Sequence, residues 1–115
     1  MRAKILNASA GSGKTYQLAY KYVRDVIDQP GLYRHILAVT FTNKATEEMK
    51  SRILKEIHRL ASGGASPYLG NLCRELSLDE RSVRKRAAEV RSKILHDYSR
   101  FTVLTIDTFF QRILR

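Results

Sequence analysis

The chain has 115 residues, enough for one domain, and its Lys and Arg residues outnumber its Asp and Glu residues by 21 to 11. The formal charge of +10 favours a polyanionic partner, nucleic acid before a membrane surface. A single cysteine, Cys73, excludes an intrachain disulfide, and no apolar run is long enough for a membrane span or a signal peptide. We therefore expect a cytoplasmic protein that does not contact membranes.

Apolar periodicity predicts two strand and helix pairs in the first half of the chain. The predicted strands are residues 4–8 and 35–41, and each precedes a segment with helical spacing of apolar residues. The apolar stripes are Leu18, Tyr22 and Val26 in the first helix and Ala45, Met49, Ile53, Ile57 and Leu60 in the second. Thr42 or Asn43 can cap the second helix.

The second half begins with a stretch rich in Gly and Ser, residues 62–67, which predicts a flexible loop. A short helix is predicted around residues 68–76. Ser77 and Glu80 have the spacing of a capping box at the start of a longer helix. The apolar stripe of that helix is Val83, Ala87, Val90 and Ile94.

The last predicted strand is residues 101–106, which are rich in β-branched side chains, and Asp107 or Thr108 can cap a final helix. The order strand, helix, strand, helices, strand, helix implies right-handed crossovers between parallel strands. The sequence therefore predicts an α/β fold with a parallel sheet flanked by helices.

Residues 8–15, Ala-Ser-Ala-Gly-Ser-Gly-Lys-Thr, form a phosphate-loop motif between the first strand and the first helix. Lys14 would reach the β and γ phosphates of a nucleoside triphosphate, and the Thr15 hydroxyl would bind Mg²⁺. The predicted cofactor-binding residues are Ala10, Gly11, Ser12, Gly13, Lys14 and Thr15. Ala8 stands where the usual motif has Gly. The alternative is a glycine-rich helix entry without a ligand.

Residues 38–53 closely resemble the second signature of UvrD/Rep-type superfamily 1 DNA helicases. Their sequence is Ala-Val-Thr-Phe-Thr-Asn-Lys-Ala-Thr-Glu-Glu-Met-Lys-Ser-Arg-Ile. The resemblance implies that Phe41 stacks on a base. It also implies contacts of Thr42, Asn43 and Lys44 with the backbone of single-stranded DNA, without sequence preference. From the residues alone, Phe41 can equally be a core residue behind a helix cap.

Residues 103–114, Val-Leu-Thr-Ile-Asp-Thr-Phe-Phe-Gln-Arg-Ile-Leu, are similar to the next DNA-binding signature, especially in the RecB and AddA branch. The resemblance implies DNA contacts of Thr105 and Thr108. Asp107 stands where the family usually has His, and its carboxylate would repel phosphate, so we interpret it as a helix cap. The same branch has a longer helical insertion at this point, which residues 61–100 match in position and helical character.

Two acidic positions are candidates for the acid that orients Mg²⁺ in ATP-hydrolysing helicases. Asp79 and Glu80 are adjacent, but they lie before the third signature, whereas the family has the acidic pair after it. We interpret them as part of the capping box that begins at Ser77. Asp107 follows a better strand and lacks a neighbouring Glu. We therefore expect little or no ATP hydrolysis from these residues alone.

A basic cluster in the insertion consists of Arg81, Arg84, Lys85, Arg86, Arg91 and Lys93. It could line a nucleic acid, although such runs are more often solvated helix faces. The three histidines lack metal-ligand spacing with Cys73. The sequence therefore indicates no metal beyond the nucleotide-bound Mg²⁺.

The resemblance implies that residues 1–115 are the N-terminal part of motor domain 1A and have a RecA-like P-loop fold. It also implies that the whole protein is an ATP-dependent DNA helicase that acts in DNA repair or recombination. Its cofactors would be ATP and Mg²⁺. Its partners would be single-stranded or duplex DNA and the remaining helicase domains. Two other classes stay open: a small P-loop kinase, which leaves residues 40–53 unexplained, and a non-catalytic module that binds nucleotide or DNA.

Overall fold

A computed structural model of the chain describes residues 4–8, 12–40, 42–98 and 101–114. The strands are β1 (Lys4–Ala8), β2 (Ile36–Thr40) and β3 (Thr102–Thr105). The helices are α1 (Ser12–Asp28), α2 (Asn43–Ser62), α3 (Leu69–Leu76), α4 (Glu80–His96) and α5 (Ile106–Ile113), with a 3₁₀ helix at Pro30–His35. Within these ranges, no helix combines the length and hydropathy required to cross a bilayer.

The three strands form one parallel sheet in the order β1, β2, β3. The predicted parallel sheet is therefore confirmed. In the register, Ala8 pairs with Thr40, and Thr40 pairs with Thr105. Each of these residues is the last of its strand, so all three chain segments that follow the strands start at one edge of the sheet.

The hydrophobic core lies where α1, α2 and α4 pack against one another and against β2 and β3. Tyr22 and Val26 of the first predicted stripe are fully buried, and Leu18 is partly buried beside them. The second stripe contributes Met49, Ile53, Ile57 and Leu60, none of them more than 1% exposed. The predicted core role of Met49 is confirmed.

Helix α4 belongs to the same core as the helices before it. The four predicted stripe residues Val83, Ala87, Val90 and Ile94 are all buried in it. Cys73 of α3 is partly buried against this core, as is common for a free cysteine. The segment matched to the family insertion thus packs on the first part of the chain and does not form a separate unit.

Two predicted helix caps are wrong, and each error follows from the end of the preceding element. Helix α3 extends to Leu76, so Ser77 ends it in a left-handed conformation with φ 55° and donates its N–H to the Cys73 carbonyl. The cap of α4 is therefore Asp79, which accepts from the Ser82 N–H at 2.8 Å. Ser77 does not cap that helix.

At the C-terminal helix, β3 ends at Thr105, one residue before the predicted end of the strand. Helix α5 starts directly at Ile106, and the Thr105 hydroxyl caps it by accepting from the Thr108 N–H at 3.2 Å. Asp107 and Thr108 are therefore not the cap. The exposed Asp107 lies in the first turn, where a carboxylate is favoured by the helix dipole.

The loop between α2 and α3 is anchored to its surroundings. Gly63 ends α2 with φ 82°, a left-handed conformation that glycine adopts without steric cost, and its N–H donates to the Arg59 carbonyl. Further along, the Ser66 hydroxyl donates to the buried carboxylate of Glu56 at 2.9 Å. The predicted loop is confirmed, but these contacts hold both of its ends against α2.

Candidate functional site

The phosphate-loop motif, residues 8–15, includes the last residue of β1 and the first four residues of α1, at the carboxyl edge of the sheet. Strand β1 ends at Ala8 and α1 begins at Ser12, so the strand and helix predicted around the motif are confirmed. Ser12, Gly13, Lys14 and Thr15 form the start of α1. The N-terminus of a helix carries partial positive charge and suits an anion. Of the predicted cofactor residues, Ala10 and Gly11 lie outside the described ranges.

The residue types at the start of α1 suit a triphosphate with Mg²⁺. Three residues separate the strand from the helix, and the helix starts at the edge where the neighbouring strands also end. A Lys ammonium and a Thr hydroxyl are the groups that phosphate and a hard cation require. Both residues stand in the first turn of α1.

The second predicted site forms the corner between β2 and α2, which we call the Thr42 corner (residues 42–44). Thr42, Asn43 and Lys44 are all exposed. Thr42 caps α2, since its hydroxyl accepts from the Ala45 N–H at 3.0 Å. The predicted cap is thus confirmed, and the same corner is accessible to a ligand. Phe41 lies outside the described residues.

Two threonines that the sequence analysis did not single out hold this corner. The Thr46 hydroxyl donates to the Thr42 carbonyl at 3.0 Å, and the Thr40 hydroxyl lies 3.1 Å from the same oxygen. The hydroxyls of Thr40 and Thr46 are 2.5 Å apart, and both residues are buried. These contacts connect the end of β2 to the first turn of α2. They therefore fix the path of the chain where it leaves the strand. The sequence indicates this arrangement only by placing one threonine on each side of the turn, Thr40 and Thr46.

The third predicted segment begins beside the corner, because Thr105 pairs with Thr40 across the two strands. Thr105 and Thr108 are both partly buried, and the Thr105 hydroxyl donates to the Thr108 hydroxyl at 3.0 Å. Their hydroxyls thus have local partners in the cap of α5. The register brings this cap and the Thr42 corner to the same edge as the start of the phosphate loop.

The basic cluster on α4 has partners at the ends of two other helices. Arg84 donates to the carbonyls of Leu60 at 3.1 Å and Gly64 at 3.0 Å, at the C-terminal end of α2. Arg86 donates to the carbonyl of Asp28 at 2.9 Å, at the end of α1. Carbonyls at a helix C-terminus lack partners within the helix, and a cation suits the negative end of its dipole.

A third arginine of the cluster, Arg91, donates to His58 Nδ1 and to the Ser62 hydroxyl, both at 3.2 Å. Arg81, Lys85 and Lys93 are exposed, as expected for a solvated helix face. The cluster is thus divided: three arginines connect α4 to α1 and α2, and the other three cations face solvent.

The adjacent acids Asp79 and Glu80 lie at the start of α4, but the predicted capping box with Ser77 does not form, because Asp79 is the cap. The Ser82 side chain and backbone N–H hold the pKa of the Asp79 carboxyl below its usual range. Glu80 accepts from Arg84 Nε at 3.0 Å. Among the residues that the structure describes, no group of three or more His, Cys, Asp or Glu is placed to hold a metal ion.

Curated proteins similar to this chain include RecB subunits of RecBCD enzymes and A subunits of ATP-dependent helicase/nucleases. The RecBCD enzyme subunit RecB of Escherichia coli K12 is 31% identical over 119 residues, which cover 96% of this chain and 10% of that protein. An ATP-dependent helicase/nuclease subunit of Acetivibrio thermocellus is 34% identical over 79 residues, 67% of this chain and 6% of that protein. The corresponding protein of Lactobacillus delbrueckii is 43% identical over 49 residues, 43% of this chain and 4% of that protein.

The chain spans about a tenth of the length of RecB proteins such as that of Escherichia coli. No solved structure matches it significantly. The UvrD/REP helicase N-terminal domain profile matches residues 2–115, almost the whole sequence. The chain belongs to the UvrD/REP helicase N-terminal domain family.

Proposed function

We propose that this chain is the ATP-binding N-terminal part of motor domain 1A, with a RecA-like fold, in an ATP-dependent DNA helicase of cytoplasmic DNA repair or recombination. One observation carries the proposal. The register aligns Ala8, Thr40 and Thr105, so the phosphate loop and two segments resembling DNA-binding signatures start at one sheet edge. Such edges are where parallel α/β sheets bind ligands.

In this proposal, the backbone of residues 10–13 and the Lys14 ammonium hold the triphosphate, and the Thr15 hydroxyl binds Mg²⁺. Bound ATP supplies the phosphoanhydride whose hydrolysis powers a helicase. The adjacent acids Asp79 and Glu80 are engaged at the start of α4. We therefore expect little hydrolysis until the remaining helicase domains supply an acid.

The DNA partner would lie against the Thr42 corner and the cap of α5. Exposed Asn43 and Lys44 offer donors to phosphate oxygens, and Phe41 offers a ring for a base. Thr105 and Thr108 would add backbone contacts next to them. A small kinase remains the weaker alternative, because it gives no role to the exposed corner.

Lys14→Ala should weaken ATP binding by about 10- to 100-fold, since a charge-assisted contact to phosphate contributes roughly 1.5–3 kcal/mol. Titration of the whole chain with a fluorescent ATP analogue and Mg²⁺ measures this. Lys55→Ala, which removes an exposed Lys of α2, is the matched control and should change the affinity less than twofold. Unchanged ATP affinity in Lys14→Ala would show that the motif holds no triphosphate.

Lys44→Ala should reduce the affinity for single-stranded DNA and lower the salt slope of log K by about 0.7, the value for one phosphate contact. Fluorescence anisotropy with a labelled oligothymidylate at several salt concentrations gives the slope. Lys55→Ala again serves as the control, and neither variant should change ATP binding. A Lys44→Ala slope equal to that of the parent would remove the corner from the DNA site.

A further inference from the structure

A groove of about 530 Å³ lies between α1 and α3, and neither the phosphate loop nor the Thr42 corner includes it. Its lining includes the rings of Tyr16, Tyr20 and Tyr68 together with Lys21, Arg24 and Glu75. Tyr68 is buried at the floor, with its ring centroid 5.1 Å from each of the other two rings in edge-to-face geometry. Its hydroxyl donates to the Tyr16 carbonyl at 2.9 Å, which fixes the three rings relative to α1.

The one carboxylate in the lining is already satisfied. Glu75 accepts from the Tyr20 hydroxyl at 2.6 Å and from Arg24 Nη1 at 3.0 Å. These bonds lower the pKa of Glu75. The pKa of Tyr20 is raised, chiefly by burial and to a smaller extent by its hydrogen bond to Glu75. At neutral pH the carboxylate is therefore charged and paired, and the Tyr20 hydroxyl remains a donor.

Exposed cations also lie around the groove, whereas Arg24 and Arg52 are paired with the buried acids Asp25 and Glu56. Lys21 and Arg74 are exposed, and the guanidinium of Arg52 lies 5.3 Å from the centroid of the Tyr16 ring. Tyr16 is 37% exposed, so the residue is accessible to a ligand. Aromatic rings beside cations form the usual surface for single-stranded nucleic acid, because rings stack on bases and cations contact phosphates.

We propose that this groove binds a segment of single-stranded DNA, with a base against Tyr16 and a backbone phosphate beside Lys21. The proposal rests on the proposed function for its ligand, and it adds a contact surface that is distinct from the Thr42 corner. Gln17 and Asn71, which also line the groove, supply amide groups for base edges. Since α3 contributes one wall of the groove, the helical insertion gains a role in holding DNA.

The test compares two charge reversals in the whole chain. Lys21→Glu and Lys85→Glu change the net charge equally, and both side chains are exposed. Oligothymidylate affinity should fall about tenfold in Lys21→Glu, which corresponds to 1.4 kcal/mol. In Lys85→Glu it should fall less than threefold. An equal loss in the two variants would show a general charge effect and would overturn the proposal.

A second measurement locates the base. With the tyrosine rings labelled for NMR and the chain saturated with ATP and Mg²⁺, the Tyr16 signals should shift further on addition of oligothymidylate. The saturation is needed because Tyr16 directly follows Thr15, the proposed Mg²⁺ ligand. Signals that respond only to ATP would assign the groove to a free nucleotide and overturn the proposal. If Lys44→Ala weakens DNA binding while Lys21→Glu does not, the groove proposal fails and the proposed function stands.

Discussion

Replacing both Arg52 and Arg59 by Met should lower the free energy of unfolding by about 3–5 kcal/mol, because the change leaves a buried carboxylate without a cation. Glu56 is 0% exposed. Its Oε2 lies 3.3 Å from Arg59 Nη1 and 3.6 Å from Arg52 Nη1, and its Oε1 accepts from Ser66. Methionine keeps most of the apolar contacts of the two arginine stems, so the loss reports the charge.

The third substitution, Glu56→Gln, separates charge from packing. Added to the Arg52→Met and Arg59→Met pair, it should restore more than half of the lost stability, because a neutral amide can remain buried with the Ser66 hydrogen bond. Urea unfolding followed by circular dichroism measures all variants. A triple variant no more stable than the double variant would mean that the arginines act through packing alone.

Arg84→Ala should lower the free energy of unfolding by about 2–4 kcal/mol, since hydrogen bonds to charged groups contribute about 1.5–3 kcal/mol each and are not additive. Arg84 Nη1 contacts the carbonyls of Arg59, Leu60 and Gly64, and Nε pairs with Glu80. One side chain therefore ties α4 to the end of α2 and to the loop that follows it.

Lys85→Ala is the matched control for Arg84, because its side chain is the exposed neighbour on the same helix. It should change the stability by no more than about 0.5 kcal/mol. Arg84→Lys should recover only part of the loss, since an ammonium cannot reproduce the guanidinium geometry. The assigned role is wrong if Arg84→Ala is as stable as Lys85→Ala in urea unfolding.

The order of elements and most of the core could be predicted from the sequence, because apolar periodicity is a local signal. Met49, Ile53, Ile57 and Leu60 repeat at helical spacing, and all four are buried in α2. Pro30 and Gly31, which disfavour an α-helix, follow α1 closely, but no local pattern indicates that a 3₁₀ helix fills the gap before β2.

Boundaries and long-range contacts could not be predicted in the same way. The cap of α4 depends on where α3 ends, and Asp79 and Ser77 are both good capping residues. The three carbonyls that accept from Arg84 lie 20 to 25 residues earlier in the chain, and no local pattern connects them to Arg84. The burial of the Glu56 carboxylate depends on side-chain contacts with Ser66, Arg52 and Arg59 that no sequence motif indicates.

For the candidate site, the sequence indicates which residues to consider, but it does not indicate how they are arranged in space. Lys14, Thr15 and Asn43 were predicted from sequence motifs. The structure adds that the strands preceding these residues end side by side. The tyrosine groove was missed because its walls come from α1 and α3, about 50 residues apart in sequence. Tyr16 and Tyr20, four residues apart, were its only local indication.

The alignment of the three strand ends has an electrostatic consequence under the proposed function. Neighbouring strands are about 4.8 Å apart, so two polyanions held at this edge would approach to the order of 10 Å. At that distance in water, each pair of unit negative charges repels by about 0.4 kcal/mol. Nucleotide and DNA would then weaken one another's binding through charge alone, and dissolved salt, with a screening length of about 8 Å at physiological strength, would relieve this antagonism.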